Sequence, residues 1–160
     1  MDRFAGVVAK IDGRILRRGF WLYVWEISNG AKQVLYVGRT GDSSSNNASS
    51  PFARFGQHLD FRDNARGNAL LKNLVKAGLN PTECTFDLFA IGPLFLEQRN
   101  PEQHLRRRDK VAALECALAG HLKELGYDVM GSHHSKKELD RRLYRHLLFA
   151  VKDRFPPRGQ

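Results

Sequence analysis

Residues 19–38 read GFWLYVWEISNGAKQVLYVG, and this stretch decides the fold. Phe20 to Ile27 and Gln33 to Gly38 are rich in aromatic and β-branched residues, with Asn29-Gly30 between them. Asn-Gly between two such runs is the strongest short signal for a β-hairpin, because the tight turn needs positive φ. The first run is too continuously apolar for a strand with a wet face, so it is expected to be buried on both sides, central in its sheet. Tyr23 within it therefore needs an explanation.

Beyond the hairpin, Gly41 to Ser50 (GDSSSNNASS) is small, polar and without periodicity, and reads as a mobile loop. Pro51 suits the first turn of a helix running to about Asp60, on which Arg54 and His58, four residues apart, share one face. A second helix is expected from Asn68 to Ala77, stopped by Gly78, and a third strand from Thr82 to Ile91. Asn100-Pro101-Glu102 opens a long helix through Lys123, with Val111, Leu114, Leu118 and Leu122 at helical spacing. A last amphipathic helix, within residues 136–155, puts Leu139, Leu143, Leu147 and Val151 on one stripe and is expected to pack on the same body. Residues 1–18 form an extension; Val7 to Ile11 followed by Asp12-Gly13 is compatible with another piece of the sheet.

A chain of 160 residues builds one ordinary core. The N-terminal residues carry no apolar run behind a basic start, and no stretch approaches the roughly 18 apolar residues that span a bilayer, so neither export nor membrane insertion is expected. Cys84 and Cys116 fit no metal-binding spacing and read as reduced thiols, which points to the cytoplasm. The net charge of +9 favours a polyanionic partner, nucleic acid ahead of an acidic membrane surface. Much of it is local. Between residues 136 and 158, Lys136, Lys137, Arg141, Arg142, Arg145, Lys152, Arg154 and Arg158 face only Glu138, Asp140 and Asp153. Arg106-Arg107-Arg108 reads equally as a phosphate track and as a solvated helix face.

One residue breaks its surroundings. Glu115 falls in the apolar stripe of the long helix, among Val111, Leu114 and Leu118, where an unpaired carboxylate costs several kcal/mol. It needs a metal ion, a cation or an opening to water. By contrast, the adjacent His133 and His134 lie in a loop-like stretch and, pointing different ways, do not read as a metal site. Gly38-Arg39-Thr40-Gly41 lacks the lysine-and-hydroxyl ending of a phosphate loop.

Taken in order, Trp21-Leu22-Tyr23, Tyr36-Val37-Gly38, Arg54-x-x-x-His58, Glu115 and Tyr127-Asp128 resemble the motifs of the GIY-YIG nuclease superfamily, over roughly Phe20 to Met130. The resemblance implies an α/β (α+β type) domain over residues 19–130, with a three-stranded antiparallel sheet flanked by helices, to which the C-terminal basic helix is an addition. It also implies an endonuclease that cuts DNA phosphodiester bonds with one divalent metal, Mg2+ or Mn2+. In that scheme Tyr23 and Tyr36 would be catalytic tyrosines reaching one pocket from paired strands, with one of them, helped by His58, taking the proton of the attacking water. Arg54 would contact the scissile phosphate and Glu115 would hold the metal. Arg39, where some relatives have lysine, would be a further phosphate contact, and Arg106, Arg107, Arg141, Arg142 and Arg145 are the candidates for holding nucleic acid. Two residues depart from the pattern. Trp21 stands for the first glycine, and Asp128 stands where relatives carry asparagine, which leaves it either a second metal ligand or a charge that repels the substrate. The alternatives to a DNA endonuclease are a nucleic-acid-binding module that keeps the fold without the chemistry, and an effector that cuts RNA.

Overall fold

The computed structural model describes residues 6–43 and 47–159. Asn29-Gly30 closes the hairpin between β1 (Phe20–Ser28) and the antiparallel β2 (Gln33–Arg39). Gly30 takes φ +82°, and the Asn29 side chain accepts a hydrogen bond from the Lys32 amide at 2.9 Å, so both residues of the signal are used by the turn. β3 (Thr85–Phe95) pairs antiparallel with the other edge of β1, which makes β1 an inner strand. It begins later than Thr82 because Pro81–Glu83 forms a single 3-10 turn, capped by Asn80, and it runs on past Ile91.

The sheet has four strands rather than the expected three, in the order β3-β1-β2-β4, because β4 (Val129–Met130) adds parallel to β2. Two residues are too few to display an alternating pattern, and their partner is nearly a hundred positions away. Among the described residues the chain is thus mixed α/β, with an open sheet and four α-helices. The expected loop over Gly41 to Ser50 is described only in part, since residues 44–46 lie outside the described residues, as do the first five positions of the extension over 1–18. From Gly6 onward that extension contributes a 3-10 turn, Gly13–Leu16, and no strand, so among the described residues it is not part of the sheet.

Among the described residues, three of the four α-helices begin where a side chain answers the free amides of the first turn. In α1 (Pro51–His58) Ser50 accepts from the Ala53 amide, and in α3 (Pro101–Glu124) Asn100 accepts from the amides of Glu102 and Gln103. α2 spans Ala69–Lys76 and has no side-chain cap among the described residues. α4 (Arg141–Val151) starts later than Lys136 because Asp140 is the residue that caps it, accepting from the Leu143 amide at 3.1 Å. No helix among the described residues is long and apolar enough to cross a membrane.

Side chains alternate across β1, and both of its faces are covered. Leu22 and Val24, with Leu35 and Val37 of β2, pack against Val111, Leu114, Leu118 and Leu122 of α3 and Leu147 and Val151 of α4. On the opposite face Tyr23, Trp25, Ile27 and Val34 meet Leu70 and Leu74 of α2, and the Trp25 ring stacks on Phe55 of α1 with centroids 4.8 Å apart. Each such leucine contributes roughly 1.5–3 kcal/mol through burial. Trp21 is absorbed structurally: its indole N–H donates to the Arg17 carbonyl at 3.0 Å, and its ring lies over Gly92 of β3.

The register fixes how the two tyrosines are related. Tyr23 lies opposite Gly38 and Tyr36 lies opposite Trp25, so the two phenols are diagonal neighbours on one face rather than directly paired. Gly38 explains itself: a Cβ there would sit 2.5–2.7 Å from the ring and hydroxyl of Tyr23. The second strand is bare at this position so that the tyrosine can lie across it. Gly38→Ala is therefore expected to displace Tyr23 and to lower stability by about 1–3 kcal/mol in urea unfolding; a midpoint equal to wild type would show that the tyrosine does not need this position bare.

Candidate functional site

Four elements meet at the end of the hairpin where β1 begins and β2 stops. β1 carries Tyr23, β2 carries Tyr36 and Arg39, α1 carries Arg54 and His58, and α3 carries Glu115. Arg54 and His58 share a helix face, as their spacing requires, and that face is turned to the tyrosines. The Tyr23 hydroxyl is 2.6 Å from His58 Nε2 and 3.3 Å from the Arg39 carbonyl. The His58 ring stands edge-on to both phenols, with centroids 5.9 Å from Tyr23 and 5.5 Å from Tyr36.

Burial controls the protonation of this cluster. Tyr23 is 2% exposed, and its removal from water pushes the phenol far above its ordinary range, against the pull of the nearby Arg54 guanidinium. Tyr36 is pushed up to about 12, first by burial and then by the Glu115 carboxylate. His58, also 2% exposed, is lowered to about 4, by burial first and by Arg54 second. Desolvation thus outweighs the arginine at both phenols, and in the protein alone it favours neutral tyrosines beside a neutral imidazole.

Glu115 finds its cation. Arg39 Nε donates to its Oε2 at 2.8 Å, with each side chain one-fifth exposed, while the Arg39 Nη1 donates to the Arg108 carbonyl at 3.3 Å. Burial raises the carboxyl of Glu115, and Arg39 and then His133 pull it back down. Its other oxygen, Oε1, accepts no hydrogen bond among the described residues. Arg54 is held by two partners, Gln57 at 2.6 Å and Asp42 at 2.9 Å, and keeps a buried Nε without a partner.

Two further residues stand at this end of the sheet: Asp42, which the sequence did not single out, and His133, which it set aside as part of a loop. Asp42 pins Arg54, and its charge is felt at Tyr36, His58 and Glu115. As the one acid in a polar, aperiodic loop it carried no signal beyond being acidic. His133 donates from Nε2 to the Val37 carbonyl at 2.9 Å, at the outer edge of β2. Conversely, Asp128 is not brought to Glu115. It lies beside the start of β2, with its side chain mostly exposed and 4.0 Å from the Lys32 amine, whereas Glu115 is held at the other end of that strand. Asp128 is thus no companion ligand for Glu115. Among the described residues no three His, Cys, Asp or Glu side chains come together as a ready-made metal cage.

The arginines expected to hold nucleic acid are distributed unevenly. Arg39 is in the cluster. Arg107 lies over the Phe95 ring at 4.4 Å, and Arg106 pairs with Glu102 one helical turn away. Arg106 and Arg141 line an open groove of about 670 Å³ between α3 and the segment leading into α4. Two of its lysines are neutralised inside it, Lys110 by Asp140 at 3.2 Å and Lys137 by Asp109 at 2.8 Å. Arg141, Arg142 and Arg145 on α4 are exposed and form no ion pair among the described residues. They lie outside the tyrosine cluster, on the helix packed against the α3 side of the sheet.

Comparison of the chain with protein-family models, with curated proteins and with solved structures gave no match.

His58 should leave a signature in the pH dependence of stability. A histidine whose folded pKa lies below its unfolded value near 6.5 binds its proton more readily in the unfolded chain, so stability is fully present above about 6.5 and is lost as the pH falls toward about 4. Urea unfolding of wild type is expected to lose about 2–3 kcal/mol more between pH 7 and pH 4.5 than His58→Gln loses over the same interval. Parallel losses in the two proteins would mean that His58 is not held neutral by burial.

Proposed function

We propose that this chain is a nuclease that hydrolyses DNA phosphodiester bonds with the help of a divalent cation, Mg2+ or Mn2+, by chemistry of the GIY-YIG kind that its sequence resembles. The observation that carries the reading is the convergence of Tyr23, Tyr36, Arg54, His58 and Glu115 from four separate elements on one end of the hairpin. Single tyrosines in strands are mostly core aromatics. One buried and one half-buried phenol beside the same imidazole, arginine and carboxylate are not explained by packing.

Hydrolysis joins a water oxygen to phosphorus and breaks the bond to a sugar oxygen; the water loses a proton and the leaving oxygen gains one. In the His58 tautomer that carries its proton on Nδ1, the Tyr23 hydroxyl donates to Nε2, so Tyr23 relays the water's proton, passing its own to Nε2 in the same step. No free tyrosinate is needed at Tyr23, where burial makes that species costly. Tyr36, partly exposed and a neutral phenol, gives its proton to the leaving oxygen; solvent at its exposed edge then reprotonates it, while His58 releases the proton it took, which resets both groups. Arg54 supplies positive charge beside the tyrosines for the phosphate oxygens, which gain negative charge in the transition state.

The residues present fit a hard divalent ion. Glu115 is a largely buried carboxylate with one oxygen uncommitted, and an ion that keeps most of its waters needs few protein donors. When bound there, such an ion would supply Lewis-acid polarisation of the phosphoryl group. The exposed arginines of α4 would add sequence-independent, salt-sensitive attraction to the DNA backbone.

One observation favours a second reading, a nucleic-acid-binding module without chemistry: the Glu115 carboxylate is already answered by Arg39. The two separate on purified protein incubated with plasmid, linear, single-stranded and branched DNA and matched RNA oligonucleotides, with Mg2+ or Mn2+. The nuclease reading expects metal-dependent products that Glu115→Ala and Arg54→Ala each reduce by about a hundredfold or more, without loss of the folded state. Salt-sensitive binding with no products from any DNA would reject it, and products from RNA alone would reassign the substrate.

The tyrosine roles differ in a measurable way. Tyr23→Phe and Tyr36→Phe are each expected to lower the rate by about 100-fold or more on DNA. On a p-nitrophenyl phosphodiester, whose leaving group needs no proton, the Tyr36→Phe loss should largely vanish while the Tyr23→Phe loss persists. Equal losses on both substrates would contradict the assignment.

A further inference from the structure

We infer that His133 supplies a nitrogen donor to the cation at Glu115, which would make this site prefer a transition-metal ion such as Mn2+ or Co2+ over Mg2+. The inference rests on the proposed cation at Glu115 and adds a ligand and a selectivity to it.

The tautomer of His133 follows from its one hydrogen bond. Nε2 is 2.9 Å from the Val37 carbonyl, which has no proton to give, so Nε2 carries the proton. In the neutral ring the lone pair then sits on Nδ1, which is buried and has no partner. Fastening the loop to β2 accounts for Nε2 but leaves Nδ1 unexplained, because a buried acceptor without a donor is a net loss to the fold. An imidazole that donates its other N–H to a backbone carbonyl is the usual support for a metal-binding histidine, since that bond fixes both tautomer and ring orientation.

The ring also stands in the right place. The His133 carbonyl accepts from Cys116 Sγ at 3.3 Å, and Cys116 follows Glu115 on α3. A Cβ on Gly131 would touch the His133 Cε1 at 3.6 Å and the Tyr36 ring at 3.7 Å, so imidazole and phenol flank the same glycine. His133 thus occupies the edge of β2 between the Tyr36 face of the sheet and the helix that carries Glu115. Its field at the Glu115 carboxylate agrees with this placement. His134, the next residue, is exposed and serves as the control.

One oxygen and one imidazole nitrogen form a mixed donor set. Imidazole favours Mn2+, Co2+ and later transition ions along the series, while Mg2+ holds to oxygen and water. The test is binding of the ion itself, with Mn2+ followed by its paramagnetic resonance and Mg2+ added as competitor, on full-length protein without DNA. Wild type is expected to bind Mn2+ about tenfold or more tighter than Mg2+, and Mn2+ on the wild-type protein should show hyperfine coupling to a directly bound nitrogen. His133→Gln, which keeps an N–H for Val37, should lose the nitrogen coupling and bring the two affinities together, whereas His134→Gln should change neither.

Absence of nitrogen coupling in wild type overturns the inference without need of any variant that must fold. So does Mn2+ affinity in His133→Gln equal to wild type while Glu115→Gln abolishes binding; in that case the cation at Glu115 stands and only its nitrogen ligand falls. If Glu115→Gln binds Mn2+ as wild type does, the cation assignment under the proposed nuclease fails together with the inference.

Discussion

A strand covered on both faces has no water to offer its polar groups, and the rest of the site follows from that constraint on β1. Where β1 runs through the middle of the molecule, its residues are aliphatic or aromatic and meet α3 on one side and α2 on the other. At its beginning it carries the Tyr23 hydroxyl, which is answered by His58 at 2.6 Å. Answering one buried polar group brings others with it. His58 arrives on α1 with Arg54, Arg54 needs Asp42, and Arg39 reaches across to Glu115 on α3. The cluster is therefore a chain of compensations that begins at a single tyrosine and ends at a carboxylate on the far side of the sheet.

That chain sets the electrostatics of the site. Removal from water raises both phenols and lowers the imidazole, so the resting cluster keeps its tyrosines and its histidine neutral while Arg39 and Arg54 carry the positive charge. Such a site has little use for a standing phenolate. It is suited to moving a proton from one neutral group to another while arginines meet negative charge that arrives with the ligand. The Arg39–Glu115 pair belongs to the same economy of burial: it satisfies the carboxylate in the protein alone and leaves one oxygen open.

The parts of this arrangement that were legible in the sequence are those encoded over short distances. Asn29-Gly30 marked the turn, the unbroken apolar run marked β1 as inner, and Asn100-Pro101 marked the start of α3. The four-residue spacing of Arg54 and His58 placed them on one face of α1. Glu115 announced its need for a partner by standing in an apolar stripe, although the partner found is Arg39, a residue first considered for phosphate. What was not legible depends on pairing at long range. The two residues of β4 have no periodicity to read, and the position of Asp128 beside Lys32 follows only from that pairing. His133 looked like half of a loop dipeptide because the bond that orients it comes from Val37, on another strand. The burial that raises both phenols was not legible either, because burial depth at a strand end is a property of the packed whole.

Crystals soaked with Mn2+ and a short DNA duplex, read through the anomalous scattering of the metal, test the central claim most directly. The account predicts a single strong peak coordinated by Glu115, with a phosphate of the DNA bridging that peak and Arg54 beside the two tyrosines. Manganese bound only elsewhere, with the DNA remote from the hairpin end and Glu115 still closed on Arg39, would contradict it.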